Sequence, residues 1–541
     1  MKNLQITISL LLISICSFGQ IQSYTGSGTD GSITITPDGL SSRYTGKKFD
    51  PSNVALGPNA LISIVTGEED YESKENTAIG SNALRNNTTG YYNSAVGYNT
   101  LSRNTIGRYN TASGRGALYS NINGMFNTAI GVSSLYRNTL GSSNTAIGRE
   151  ALYHNISGGA NTASGGLALY RNTTGHNNTS NGFYSLLNNT SGSSNTANGS
   201  YSLFENTTGR NNTASGRNSL YSNTNGYSNT ATGHSALYYN TAGHHNTALG
   251  DSALYHNTTG NYNTANGTFS LLDNTTGKDN AAFGSYSLLN NTSGDGNATN
   301  GAYALLLNTT GDKNTATGTS ALIVNSTGIQ NTALGHSALS SNTTGYNNTG
   351  LGYQSDVSSN NLHNATAIGY EAKVNASNKI RIGNTSITAA DIQVAWNVTS
   401  DKRWKENIVT VPLGLDFIKD LKPVAYHRKN NEKDDVEFGL IAQEIVETLA
   451  KYGLTEKDLG LLDKDQDGYY SVRYNDLLAP MIKAMQEQQL MIEKLKEVNS
   501  KQASAMLEQQ KVNDWQTTAL NALLKRVESL ETEGVILSSK K

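Results

Sequence analysis

The chain has 541 residues, enough for roughly three or four domains, yet only 15% are charged, well under the usual quarter. Glycine numbers 54 and proline 6, and tyrosine numbers 29 against 9 phenylalanines. The net charge of −2 gives no electrostatic footprint for nucleic acid or an acidic membrane surface.

That average hides an asymmetry. From Ser400 to Lys541 lie 21 of the 40 basic and 24 of the 42 acidic residues. The chain therefore reads as a long, weakly charged part followed by a charged one, with a seam at "NVTSDKRWKENI" (397–408).

The N-terminus, "MKNLQITISLLLISICSFGQ", has one lysine, an apolar run from Ile6 to Ile15 and small residues before Gln20. It reads as a secretory signal over residues 1–19, cut near Gly19. A lipoprotein anchor at Cys16 is disfavoured, because Ile15 stands where a small residue is normally needed. Cutting at Gly19 removes the one cysteine, so the mature chain is expected to lack disulfides in a secreted or cell-surface location. No other run is long enough to span a membrane.

Residues 20–75 read as an N-terminal cap or tip. From Asn76 the motif Asn-Thr-Ala-x-Gly recurs every 17 residues up to Asn348, giving 17 starts without insertion or deletion, and a weakened copy begins at Thr366. Five positions do not vary over the complete copies: Asn76, Gly80, Leu84, Asn87, Gly90 and their equivalents. Seventeen residues are too few for a helical hairpin. Short strands joined by Asn/Gly corners fit better, since both residues tolerate positive φ. Two strands and two turns are expected per rung, with the leucine as an internal column and alanine on the tight side. At roughly 4.8 Å per rung the stack over residues 76–370 would be on the order of 80 Å long. The fold class expected is therefore mainly β, a parallel β-roll or solenoid.

The Asn-x-Thr/Ser triplets resemble glycosylation acceptors, but we read these residues as turn and ladder residues. A calcium-binding repeat would place aspartate at fixed turn positions, and aspartate is nearly absent here. Threonine columns that could bind ice or a crystalline surface are common to any β-solenoid. His234, His244 and His245 share no column and read as surface. "NTAIGSNAL" and "NSAVGYNTL" resemble the head repeats of trimeric autotransporter adhesins, over about residues 50–370. Those heads are left-handed parallel β-rolls packed as three chains. This chain departs in its more uniform unit and in lacking that family's C-terminal membrane barrel.

Residues 371–399 read as a neck. Residues 400–476 read as mixed α and β. "LDFIKDLKPVAYHRK" (415–429) gives a helix, a stop at Pro423 and a strand. "VEFGLIAQEIVETLAKYG" (436–453) gives a strand and an amphipathic helix closed by Gly453. "DKDQDGYYSVRY" (463–474) mimics a calcium loop through Asp463, Asp465, Asp467 and Gly468. The closing bidentate glutamate is replaced by Tyr474, so a hairpin turn is expected. Over residues 477–535 one heptad register holds, with Leu478 at a and Met481 at d, through to Val527 and Leu530. Ten of its 16 a and d positions are apolar, and Asn499, Gln502, Gln509, Asn513 and Gln516 make the middle polar. A coiled coil is expected, with dimer against trimer open from the heptads alone.

"SDKRWKENI", "LKPVAYHRK", "FGLIAQEI" and "YSVRYNDLLAPMIKAMQEQ" occur in that order over about 395–500. Together they resemble the intramolecular chaperone domain at the C-terminus of phage tailspikes, tail fibres and endosialidases. The resemblance implies a homotrimer, guided folding of the β-rich fibre in front, and release by self-cleavage just before the serine of Ser-Asp-x-Arg-x-Lys. It thus implies a scissile Thr399–Ser400 bond, Ser400 as nucleophile and Lys405 as general base. The enzyme so implied is a single-turnover serine peptidase without an external substrate. A serine needs a base, and a lysine serves only if burial or nearby positive charge favours its neutral form. Lys402 and Arg403 offer such charge. Residues five apart share no face of a helix or strand, so the dyad requires a turn or a neighbouring chain.

The reading is a secreted or cell-surface trimeric adhesin-like fibre. Its surface or glycan ligand is unknown, and no nucleic acid, cofactor or metal is expected. Alternatives are a prophage tail fibre, or a structural fibre with an uncleaved coiled-coil base.

Overall fold

The computed structural model describes residues 33–36, 39–42, 52–64, 73–387, 389–394, 397–429, 435–465 and 468–539. Residues 1–19, read above as a secretory signal, lie outside them. The chain divides into two compact units, residues 1–384 and 385–541.

The first unit is a solenoid. Twenty short strands form one parallel stack, from Val54–Leu56 to Ile380–Ile382. Every strand from Thr77–Ile79 to Thr349–Leu351 pairs with the one 17 residues on, most often Thr on Thr and Ala on Ala, as in Thr128↔Thr145 and Ala129↔Ala146. The register is strict because one face is buried; a one-residue slip would turn alanine outward. The rungs from Thr77 through Thr332 each hold one three-residue strand, not the two expected; the rungs of Thr349 and Thr366 do carry a second, Asp356–Val357 paired in parallel with Lys373–Val374. Three corner residues per rung adopt positive φ, such as Asn99, Leu101 and Tyr109 at +56°, +50° and +57°, and glycine takes one of these corners at Gly116 and Gly296. These corners break the far side into single rung-to-rung hydrogen bonds, such as Leu101 N–H to Ala117 O at 3.0 Å and Arg103 N–H to Tyr119 O at 3.0 Å.

The constant residues now have physical roles. Leu101 is fully buried in a column with Leu84 and Leu118. Its left-handed backbone costs about 1–2 kcal/mol, which burial of a leucine side chain, about 1.5–3 kcal/mol, offsets. Two buried asparagine columns flank it. Asn93 Nδ2 donates to Asn76 Oδ1 at 3.1 Å and to Gly107 O at 2.9 Å. Asn104 Nδ2 donates to Asn87 Oδ1 at 2.6 Å and to the same Gly107 carbonyl at 2.9 Å. A glycine is needed there because a Cβ on Gly107 would lie against Asn104 Oδ1 and 2.6 Å from Gly124 O. Gly97, the fifth residue of its rung, has φ +130°, and a Cβ on it would meet the Gly114 backbone at 2.9 Å. Asn87 and Asn172, each first in an Asn-x-Thr triplet, are thus interior ladder residues, as the turn-and-ladder reading holds.

The second unit is α+β with a long helix. Its core gathers Phe417, Ile445, Leu449, Leu462 and Leu477. Two antiparallel hairpins, Pro423–His427 with Val436–Leu440 and Leu462–Lys464 with Tyr470–Val472, pack beside helices Leu415–Asp420 and Ala442–Lys451. The calcium-like stretch is part of the second hairpin: Tyr469 N–H donates to Asp465 Oδ1 at 2.8 Å, while Asp467 lies outside the described residues. One helix of 61 residues, Leu478–Ser538, completes the unit. No described helix is long and apolar enough to cross a membrane.

Candidate functional site

At the seam, Asp401 begins a single 3₁₀ turn over Lys402–Trp404. Its carboxylate accepts from Arg403 N–H at 2.8 Å, capping the turn, and pairs with the Arg403 guanidinium, Nη2 to Oδ2 at 2.7 Å. The guanidinium first and the backbone N–H second hold the Asp401 carboxyl below the usual carboxylate range. Lys405 N–H closes the turn on Lys402 O at 3.1 Å. The turn doubles the chain back, and Lys405 Nζ donates to Ser400 Oγ at 2.6 Å. Residues five apart meet because a turn stands between them, a juxtaposition no helix or strand would give.

Charge around the dyad differs from the sequence expectation. Arg403 is spent on Asp401, which leaves Lys402 as the neighbouring cation not paired with that carboxylate. Thr399, Ser400 and Lys405 are all exposed in the single chain. So are the apolar side chains beside them: Val398 (72%), Trp404 (81%), Ile408 (63%) and Val409 (80%).

Downstream, the segment is pinned to the long helix. Lys483 Nζ donates to Val411 O at 2.6 Å, and Leu415 N–H donates to Glu487 Oε2 at 2.7 Å, so Glu487 serves the open N-terminus of helix Leu415–Asp420. Lys483 and Glu487 are also 3.6 Å apart, one turn along the same helix. The sequence reading missed this clamp. Its one linear signal, an i,i+4 Lys–Glu pair, is ordinary on any exposed helix.

Residues 400–454 match the family described as chaperone of endosialidase, and the match begins at Ser400. The chaperone domain suspected from the four ordered motifs, placed after solenoid repeats, fits this finding. Among curated proteins none matches the chain.

Proposed function

We propose that the chain is an exported homotrimeric fibre, its C-terminal part an intramolecular chaperone that aligns three copies and then severs itself at Thr399–Ser400. The observation that carries this is the Lys405 Nζ–Ser400 Oγ pair at 2.6 Å, placed at the first residue of the matched segment.

The chemistry follows from that pair. Neutral Lys405 takes the Ser400 hydroxyl proton, and Oγ attacks the Thr399 carbonyl carbon. The Thr399–Ser400 amide bond breaks as an ester forms, and the Ser400 nitrogen leaves as an amine carrying the transferred proton. Water then hydrolyses the ester, restoring the hydroxyl and freeing residues 400–541. Before it can accept a proton Lys405 must give one up, which a drier or more positive surrounding promotes. Neighbouring copies that cover Val398, Trp404, Ile408 and Val409 would provide it.

Assembly is supported by the long helix. All ten apolar a and d residues are open to solvent in the single chain, from 40% at Ile492 to 69% at Met485. The face that packs on the α+β fold is a different one, through Leu477, Pro480 and Ala484. A seam of this length left unused within the chain fits parallel partner helices. Alignment also addresses a folding hazard: near-identical rungs can pair one rung out of step, and distant pairing is slow. Removing the clamp afterwards makes fibre stability kinetic.

Intact mass and a denaturing gel on residues 20–541 beside Ser400→Ala test the reading. A fragment beginning at Ser400 in the wild type alone is expected; full-length chain in both would overturn self-cleavage. The matched family fits a prophage tail fibre equally. Sequencing the N-terminus of the protein from its native host separates the two, since loss of residues 1–19 supports an exported adhesin and their retention the tail fibre.

A further inference from the structure

One position of the solenoid surface stands apart. The residue after the buried leucine is aromatic or aliphatic in thirteen consecutive rungs, from Tyr119 to Ile323. Every one is half-buried, and none is charged. The run stops at Ser102 on one side and Ser340 on the other. The outward-facing end of each strand has no such continuity, passing from Ile147 to Ser164 and Asn181.

The rings of this stripe are already ordered. Tyr119 and Tyr136 stack at 4.9 Å with planes 10° apart, and Tyr136 and Tyr153 at 5.1 Å and 3°. Beyond Leu187 the ladder resumes, with Phe204 on Tyr221 at 5.0 Å and Tyr221 on Tyr238 at 4.9 Å. Rotamers held by the repeat have little freedom left to lose on docking.

We infer that this stripe is the seam along which second copies of the chain pack their solenoids, an inference that rests on the trimeric reading above. Copies held parallel at one end start their stacks at the same rung, so ring meets ring and leucine meets leucine at each level. The size is right. If each side chain leaves on the order of 50 Å² in water, a fraction of the 150–250 Å² of an aromatic, thirteen expose on the order of 700 Å². A standard interface buries about 800 Å² per partner, and soluble monomers rarely expose a larger apolar patch than a few hundred Å². The composition favours protein over sugar as occupant: the last four residues, Leu272, Leu289, Leu306 and Ile323, offer no ring face for a glycan to stack on.

The test uses the full chain with Cys16→Ser, so that introduced thiols are the only ones. Tyr153→Cys and Leu289→Cys lie in the stripe; Thr174→Cys and Thr310→Cys lie exposed on another corner. Light scattering gives the assembly mass, and disulfide cross-linking and maleimide labelling report each thiol. Expected are trimers in which the stripe thiols cross-link between chains and label at least tenfold more slowly than the controls. Loss of assembly in both stripe variants, with both controls trimeric, also supports the seam. Trimers whose stripe thiols label as fast as the controls overturn it, leaving the trimer intact and the ladder free for a ligand such as an oligosaccharide. Monomers in every variant, controls included, overturn the trimeric reading and the seam with it.

Discussion

Asn138 shows what one side chain does in the stack. It donates to Asn121 Oδ1 and to Gly141 O, both at 2.9 Å, and accepts from Asn155 at 2.7 Å, all without water. Alanine there leaves buried partners unpaired on both sides. We expect Asn138→Ala to cost about 2–4 kcal/mol, read as a lower urea midpoint. Asn138→Asp should cost more, because it sets an acceptor against the acceptors Asn121 Oδ1 and Gly141 O. At the seam the decisive substitution is Lys405→Arg. It keeps the charge and the reach to Ser400 but cannot act as a base near neutral pH. Intact mass should show uncleaved chain; a fragment beginning at Ser400 would remove Lys405 from the chemistry.

At the scale of elements, the long helix has two distinct faces. One face holds the segment after the dyad through Lys483 and Glu487. Glu487→Ala frees the Leu415 N–H and should lower the stability of the α+β unit by about 1–2 kcal/mol. Slower appearance of the Ser400 fragment in a time course should accompany it. The other face is the heptad seam. Met485→Lys with Leu523→Lys places like charges at a and d, which parallel partners cannot bury unpaired. The double variant should be monomeric by light scattering with its helix signal largely retained, and trimers would show that the heptads are not the clamp.

At the scale of the whole molecule the tyrosine ladder makes stability depend on pH. Burial, foremost, pushes the phenols of Tyr136, Tyr170, Tyr221, Tyr238 and Tyr255 above their ordinary value, with neighbouring tyrosines adding to the rise. The folded state therefore holds these protons more tightly than the unfolded one. Their contribution is fully present below the unfolded value, about pH 10, and is lost as pH rises through the raised folded values. The Tm should be flat through neutral pH and fall above about pH 10. Tyr221→Phe with Tyr238→Phe should blunt that fall, and an unchanged alkaline slope would show that the ladder is not its source.

Much of this architecture is legible without coordinates, because it depends on spacing along the chain. A 17-residue step without insertion allows only stacked rungs, a leucine at one fixed position marks an interior column, and heptads from Leu478 to Leu530 mark a helix with one greasy edge. Those are periodic properties, and a period survives in one dimension. Tertiary structure alone decided which groups meet. Positive φ at three corners leaves one strand per rung from Thr77 through Thr332, where spacing allowed two. Two asparagine columns, eleven residues apart in the repeat, converge on one glycine carbonyl because the rung closes on itself. Arg403 turns to Asp401 and so does not add its charge to the dyad, while a single 3₁₀ turn carries Lys405 to Ser400. Lys483 and Glu487 reach Val411 and Leu415 across 72 residues. Hydrogen bonds and ion pairs depend on where the backbone turns, and side-chain identity without direction does not reveal them.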